Sequence, residues 1–129
     1  MPKHVIEADE FRLTAELPFS KAIKKGHHLY ISGTASFNER GEFVGKDDVY
    51  RQTQQTLQNI LALIRKAGGT IEHIVKIQVY LKSISDYEVM NQAYRVFFGK
   101  VSFPARTTVE ANLVCEDFLV EMDAEAILE

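Results

Sequence analysis

The sequence predicts an α+β domain: a mixed β-sheet with two helices packed on one of its faces. Three observations carry that prediction. Apolar and polar residues alternate in residues 28–33 and 74–81, the period of a strand with one buried face. Apolar positions recur at helical spacing across residues 48–67, and again from about Ser85 to Gly99. The resulting order, β, β, α, β, α, β, β, leaves two apolar helix stripes that must be buried on a sheet.

In the first alternating stretch Leu29 and Ile31 share one face, and His28, Tyr30 and Ser32 the other. Upstream, Lys21, Lys24 and Lys25 read as the solvated side of a preceding strand. Asn38-Glu39-Arg40-Gly41 is a turn signal. Val49, Thr53, Leu57, Ile60, Leu61 and Ile64 form the stripe of the first helix. Asp47 or Asp48 is placed to cap its start and Gly68-Gly69 to stop it. In the next strand Val75, Ile77, Val79 and Leu81 are expected inward, opposite Lys76, Gln78 and Tyr80. Ser85-Asp86-Tyr87-Glu88 has the form of a capping box. It would open a second helix with Val89, Met90, Ala93, Tyr94 and Phe97 inward and Gly99 as its stop. Two strands follow, over about 105–112 and 118–128.

With 129 residues the chain reads as one domain, residues 1–129. Its net charge of −3 and longest basic run of Lys24-Lys25 disfavour nucleic acid as the main ligand, since a phosphate backbone needs clustered Lys and Arg. No apolar run approaches a membrane span, and Met1 to Glu7 lacks the apolar centre of a signal peptide. The single cysteine, Cys115, excludes an internal disulfide and fits a reducing compartment. A soluble cytoplasmic protein is the expectation.

Two segments near the C-terminus hold the candidate chemistry: Phe103-Pro104-Ala105-Arg106-Thr107 and Leu119-Val120-Glu121-Met122-Asp123-Ala124. Alternation puts Arg106, Thr108 and Glu110 on one face, and Glu121, Asp123 and Glu125 on one face of the last strand. If that second face is buried, three carboxylates cannot all ionise comfortably. One then needs a cationic partner or a raised pKa, and Arg106 is the candidate partner. On pattern alone a structural ion pair is the ordinary reading. The chemical reading is a pocket for a small organic acid. An arginine fork suits a carboxylate, and a nearby carboxylate can orient a water or move protons.

The same segments carry a resemblance. FPART, the upstream Leu29-Tyr30-Ile31-Ser32-Gly33, the stretch from Asn91 to Phe98 and the closing LVEMDAEAI occur in collinear order from about Pro18 to Ile127. Together they resemble the RidA/YjgF/UK114 family of enamine/imine deaminases. The resemblance implies a chorismate-mutase-like fold, assembled as a homotrimer around a central barrel with ligand sites between subunits. It implies that Arg106 clamps a substrate carboxylate and that Glu121 activates water and moves protons. Phe19, Ser32, Gly33, Asn91 and Thr108 fall where the family lines its pocket. The implied reaction is hydrolysis of 2-iminopropanoate- or 2-iminobutanoate-type intermediates to keto acids and ammonia, with no cofactor or metal expected.

Three residues depart from the family pattern. Phe19 stands where many members have tyrosine, Thr34 where glutamine is frequent, and Thr108 where cysteine is common. Ser32-Gly33-Thr34 and Ala67-Gly68-Gly69-Thr70 are similar to the aminoacrylate-deaminase branch. A sibling acting on 3-aminoacrylate or 2-aminomuconate, and a non-catalytic binder of small carboxylates, are the alternatives. Cys115 lacks a His or Asn context and reads as a passive thiol. His4, His27, His28 and His73 match no metal-binding spacing. Gly68-Gly69-Thr70 is a helix stop, not a phosphate loop.

Overall fold

A short edge strand, β1 (His4–Val5), pairs with β2 (Ala22–Lys25), which turns back into β3 (His28–Thr34). Helix α1 (Val49–Lys66), strand β4 (Ile74–Leu81), helix α2 (Tyr87–Phe98) and strands β5 (Ala105–Glu110) and β6 (Val120–Ile127) follow. This computed structural model describes residues 1–7 and 17–129. The six strands form one sheet in the order β1-β2-β3-β6-β4-β5, with β4 and β5 parallel and the other pairs antiparallel.

The last strand lies between β3 and β4, and its alternation sorts the two faces of the sheet. Val120, Met122, Ala124 and Ala126 are buried beneath the helices, and Glu121, Asp123 and Glu125 point the other way. Leu29, Ile31, Ile77, Val79 and Leu81 complete the covered face. Burying each such side chain stabilises by about 1.5–3 kcal/mol. The opposite face carries Tyr30 and Tyr80, with Tyr30 47% exposed, and neither helix covers it.

Helix α1 starts and stops as its sequence predicts. The Arg51 amide donates to Asp48 Oδ1 at 3.0 Å. At the other end Gly68, at φ +92°, takes the left-handed turn of a Schellman motif, with Gly69 N–H bound to the Ile64 carbonyl and Gly68 N–H to that of Arg65. Leu63 rather than Leu61 completes its buried stripe.

Four expectations need correction. Val75 is 40% exposed, because an irregularity in register between Ile74 and Lys76 puts both Ile74 and Ile77 inside. The capping box at Ser85 does not form. Residues Ile84–Asp86 make one 3₁₀ turn, Ser83 Oγ accepts from the Ser85 amide, and Asp86 precedes α2 without a side-chain cap. In α2 the buried residues are Met90, Asn91, Ala93, Tyr94 and Phe98, while Val89 faces out and Phe97 is only half-buried. The last two strands are also shorter than expected, ending where the 111–119 loop begins and ends. No helix among the described residues is long and apolar enough to cross a membrane.

Candidate functional site

Arg106 emerges from the start of β5, opposite Ile77 of β4, and therefore points to the helix-covered face. There its guanidinium lies 4.8 Å from the Tyr94 ring centre and 5.6 Å from that of Tyr87. Its Nη2 donates to Tyr87 Oη at 3.1 Å, and its Nη1 points at Met90 Sδ at 3.9 Å. These partners, all from α2, are neutral. A guanidinium held on aromatic faces, with no carboxylate bound to it among the described residues, is oriented for an anion supplied from outside. Asn91, Arg95, Phe103 and Pro104 complete a cleft of about 300 Å³ around it. Burial pushes the Tyr94 hydroxyl up to about 12, against the pull of the Arg106 charge, so it stays protonated.

Glu121 lies on the other face. It pairs with Tyr80 across β4 and borders a second, larger cleft of about 490 Å³. Strand β3 changes register between Ile31 and Thr34, opening its backbone at Ser32-Gly33. The Glu121 carboxylate rests on Gly33 so closely that a Cβ there would overlap it. Ser32 Oγ donates to the Ser20 carbonyl at 2.6 Å, fixing the segment that presents Phe19 and Lys21 to the cleft. Burial holds the Glu121 carboxyl above its ordinary value, Lys21 opposes this, and Asp123 adds to it. The same burial lowers the Lys21 ammonium, with Glu121 opposing. Tyr80 Oη donates to Asp123 Oδ2 at 2.9 Å and is raised in turn.

The expected residues thus fall into two groups. Arg106 and Asn91 share one cleft; Phe19, Ser32, Gly33 and Glu121 share the other. Arg106 is not the partner of Glu121 within the chain, since β4 separates their strands and they point to opposite faces. Lys21 takes the electrostatic role instead. Thr108 lines neither cleft, and its Oγ1 is buried without a hydrogen-bond partner among the described residues. Thr34 is 1% exposed and donates to the Ser32 carbonyl, so it shapes the backbone irregularity rather than touching a ligand.

Lys21 lines the larger cleft, although the sequence reads it as solvated. The sequence reading passes over Gln52 and Asn59 of α1, yet both are buried and hold the cleft walls from behind. Gln52 Nε2 donates to the Gly45 and Asp117 carbonyls and its Oε1 accepts from the Leu119 amide. Asn59 Nδ2 donates to the Ala35 and Phe37 carbonyls at 3.0 and 2.6 Å. Their placement two turns apart on one face of α1 is the one signal that could have marked them.

Comparison with known proteins finds relatives across nearly the whole chain. The sequence model of the family described as endoribonuclease L-PSP matches residues 10–128. A RutC family protein of Pyrococcus abyssi is 40% identical over 113 residues, 87% of each chain. A crystal structure of a conserved Rid family protein from Yersinia pestis matches with a TM-score of 0.89 at 35% identity, covering 98% of this chain and 100% of the other. A 2-iminobutanoate/2-iminopropanoate deaminase of Dermatophagoides farinae is 26% identical over 112 residues, 87% of each chain.

Proposed function

The chain belongs to the RidA/YjgF/UK114 family, and on that premise we propose that it hydrolyses 2-imino acids of the 2-iminopropanoate and 2-iminobutanoate type to 2-keto acids and ammonia. The observation that carries this reading is the pair of half-sites. One holds a guanidinium on aromatic rings with neutral partners; the other holds a carboxylate in a drier cleft. The relative named as an imine deaminase supports the same chemistry.

Each half-site lacks what the other has, and a second copy of the chain supplies it. In a ring of copies, Arg106 of one subunit meets Glu121 of the next, which is how a homotrimer with interfacial sites would work. Arg106 grips the substrate carboxylate bidentately, with Asn91 beside it. Glu121 faces C2 with a water. As the water oxygen bonds to C2 of the protonated imine, the π pair moves onto nitrogen and Glu121 takes a water proton. The protonated Glu121 then gives that proton to the carbinolamine nitrogen. Ammonia leaves with the C–N bonding pair, and the hydroxyl proton passes through Glu121 to solvent as the keto group closes. A carboxyl raised above its ordinary value suits both steps: it is the stronger base for the first and holds the proton it gains for the second. Orientation and fixed charges supply the acceleration.

The matching family model bears a ribonuclease description. The larger cleft offers a phosphate backbone one lysine amid phenylalanines, and the chain is acidic overall. Both features oppose that activity.

The test generates the imine with an amino-acid oxidase and lets semicarbazide compete for it. Wild type should suppress semicarbazone formation; Arg106→Ala and Glu121→Gln should each lose that effect, by about 100-fold or more. Co-expressing the two variants should restore roughly a quarter of wild-type activity, the share of interfaces that inherit both intact residues. Undiminished activity in Arg106→Ala would sink the reading. No recovery on co-expression would sink the shared site.

A further inference from the structure

We infer that the cleft beside Glu121 is a side-chain pocket for bulky apolar 2-imino acids, with branched or aromatic side chains, and that this protein favours them over the three-carbon imine. The inference rests on the deaminase reading and adds to it what the substrate carries beyond C2.

Polar groups gather at one end of the cleft, where Lys21, Ser32 and Glu121 meet Gly33. Phe19 lies beside them, its ring centre 6.0 Å from the Lys21 ammonium, and the other lining side chains are mostly apolar: Leu17, Ala35, Phe37, Val114 and Phe118, with the Cys115 thiol among them. Asn38 also borders the cleft, but its side chain is spent in its own turn, accepting from the Arg40 and Glu42 amides and donating to Glu42 Oε1. A three-carbon imine seated at Glu121, with Arg106 of the next copy on its carboxylate, would leave these apolar walls without contact. A branched or aromatic side chain would fill the cleft with apolar contact and bury no unpaired polar group.

The cleft is also built to persist. Phe37 and Phe118 pack edge to face at 5.7 Å, and Phe43 closes behind them at 5.4 and 5.6 Å. The loops bearing these rings are fastened to α1, through Asn59 to the Ala35 and Phe37 carbonyls and through Gln52 to Asp117 and Leu119. A pocket fixed in this way cannot collapse around a small ligand, so unfilled volume is lost contact. Ala35 is the smallest side chain in the lining and is itself buried, so a larger residue there would take space from the cleft.

The experiment compares imines derived from alanine, leucine and phenylalanine in the semicarbazide competition, reading relative kcat/KM. The leucine and phenylalanine imines should exceed the alanine imine by about tenfold or more, the range one or two methylenes give in an apolar pocket. Ala35→Leu should lower that ratio by a similar factor. Val114→Asp should lower it by less, since at 92% exposure Val114 stands at the mouth of the cleft, where the substitution poses no threat to folding. If the alanine imine is hydrolysed and the larger ones are no better, this inference fails and the deaminase stands. If the larger imines are favoured but neither substitution changes the ratio, the preference arises elsewhere and the inference fails. If no imine is hydrolysed, the deaminase reading falls and this one with it.

Discussion

The two half-sites are built in opposite ways. Around Arg106 the structure is local: one helix, α2, supplies Tyr87, Met90, Asn91 and Tyr94, and the first turns of β5 supply the guanidinium. Around Glu121 almost nothing is local. Its carboxylate rests on Gly33 from β3, its charge is opposed by Lys21 just before β2, and its cleft is walled by two loops that α1 holds in place. An anion clamp can be preformed from neighbours on one helix. A carboxylate of altered acidity needs burial from several directions, and only long-range packing provides that. The Glu121 half should therefore be the easier one to damage from a distance.

The strongest way to break the comparison is Gln52→Leu. The substitution acts at a fully buried position: the Asp117 carbonyl and the Leu119 amide lose their side-chain partner, and the Gly45 carbonyl keeps only the Asp48 amide. The cost should be about 3 kcal/mol in chemical denaturation, since each stranded polar group carries about 1–3 kcal/mol. Amide exchange should rise in residues 111–119 and 34–45 before it rises in α2. Uniform loosening of both half-sites would contradict the division drawn between them.

Gly33→Ala probes the same half with less force. The added methyl meets the far end of a flexible side chain, so Glu121 swings aside and the strand remains. Activity should fall by about 30- to 100-fold, the scale of a misplacement of about 1 Å. The loss should appear in kcat, with the Arg106 clamp and the melting temperature little changed. A rise in KM at constant kcat would place Gly33 in ligand binding instead.

What could be read from the residues divides in a similar way, local spacing from packing. Helix α1, its Asp48 cap and its Gly68 stop are written in local spacing, whereas the packing of Arg106 on α2 is not, and the sequence offers Glu121 as its partner instead. Glu121 is visible as a residue but its surroundings are not. The face of Lys21 depends on its pairing with Ser32, and its effect on Glu121 spans a hundred positions of chain. Val75 misleads because one irregularity in register reverses the alternation beside it. Gln52 passes unnoticed because the two distant loops that its amide reaches come together only in the fold. Which face of the sheet Arg106 and Glu121 each occupy rests on strand order, and β6 inserting between β3 and β4 is a topological fact that alternation cannot convey.

A smaller effect should come from Glu121→Gln, read as stability against pH. Folding raises Glu121 above its ordinary value near 4.5, so the native state holds this proton more tightly than the unfolded chain. Its ionisation therefore costs stability that is absent below that value and sets in as pH rises through the folded one. The glutamine removes that cost, so the variant's melting temperature should match wild type in acid and exceed it near neutrality. The gain is limited, because Lys21 loses the carboxylate that supports its charge. A difference independent of pH would show that Glu121 is not the group responsible.

The smallest expected effect sharpens the Arg106 half. Tyr94 is 4% exposed, and its hydroxyl has no hydrogen-bond partner among the described residues. Its ring, not its oxygen, supports the guanidinium at 4.8 Å. Tyr94→Phe keeps the aromatic face and the cation–π contact while removing a polar atom that burial has stranded. Stability should hold or rise by up to about 1 kcal/mol, and kcat/KM should stay within about twofold of wild type. A tenfold fall in kcat/KM at unchanged melting temperature would mean that the hydroxyl turns toward substrate when it binds. The clamp would then be a hydrogen-bonding site as well as a charge on aromatic rings, and the half-site that looks complete in one chain would prove to be finished only by its ligand.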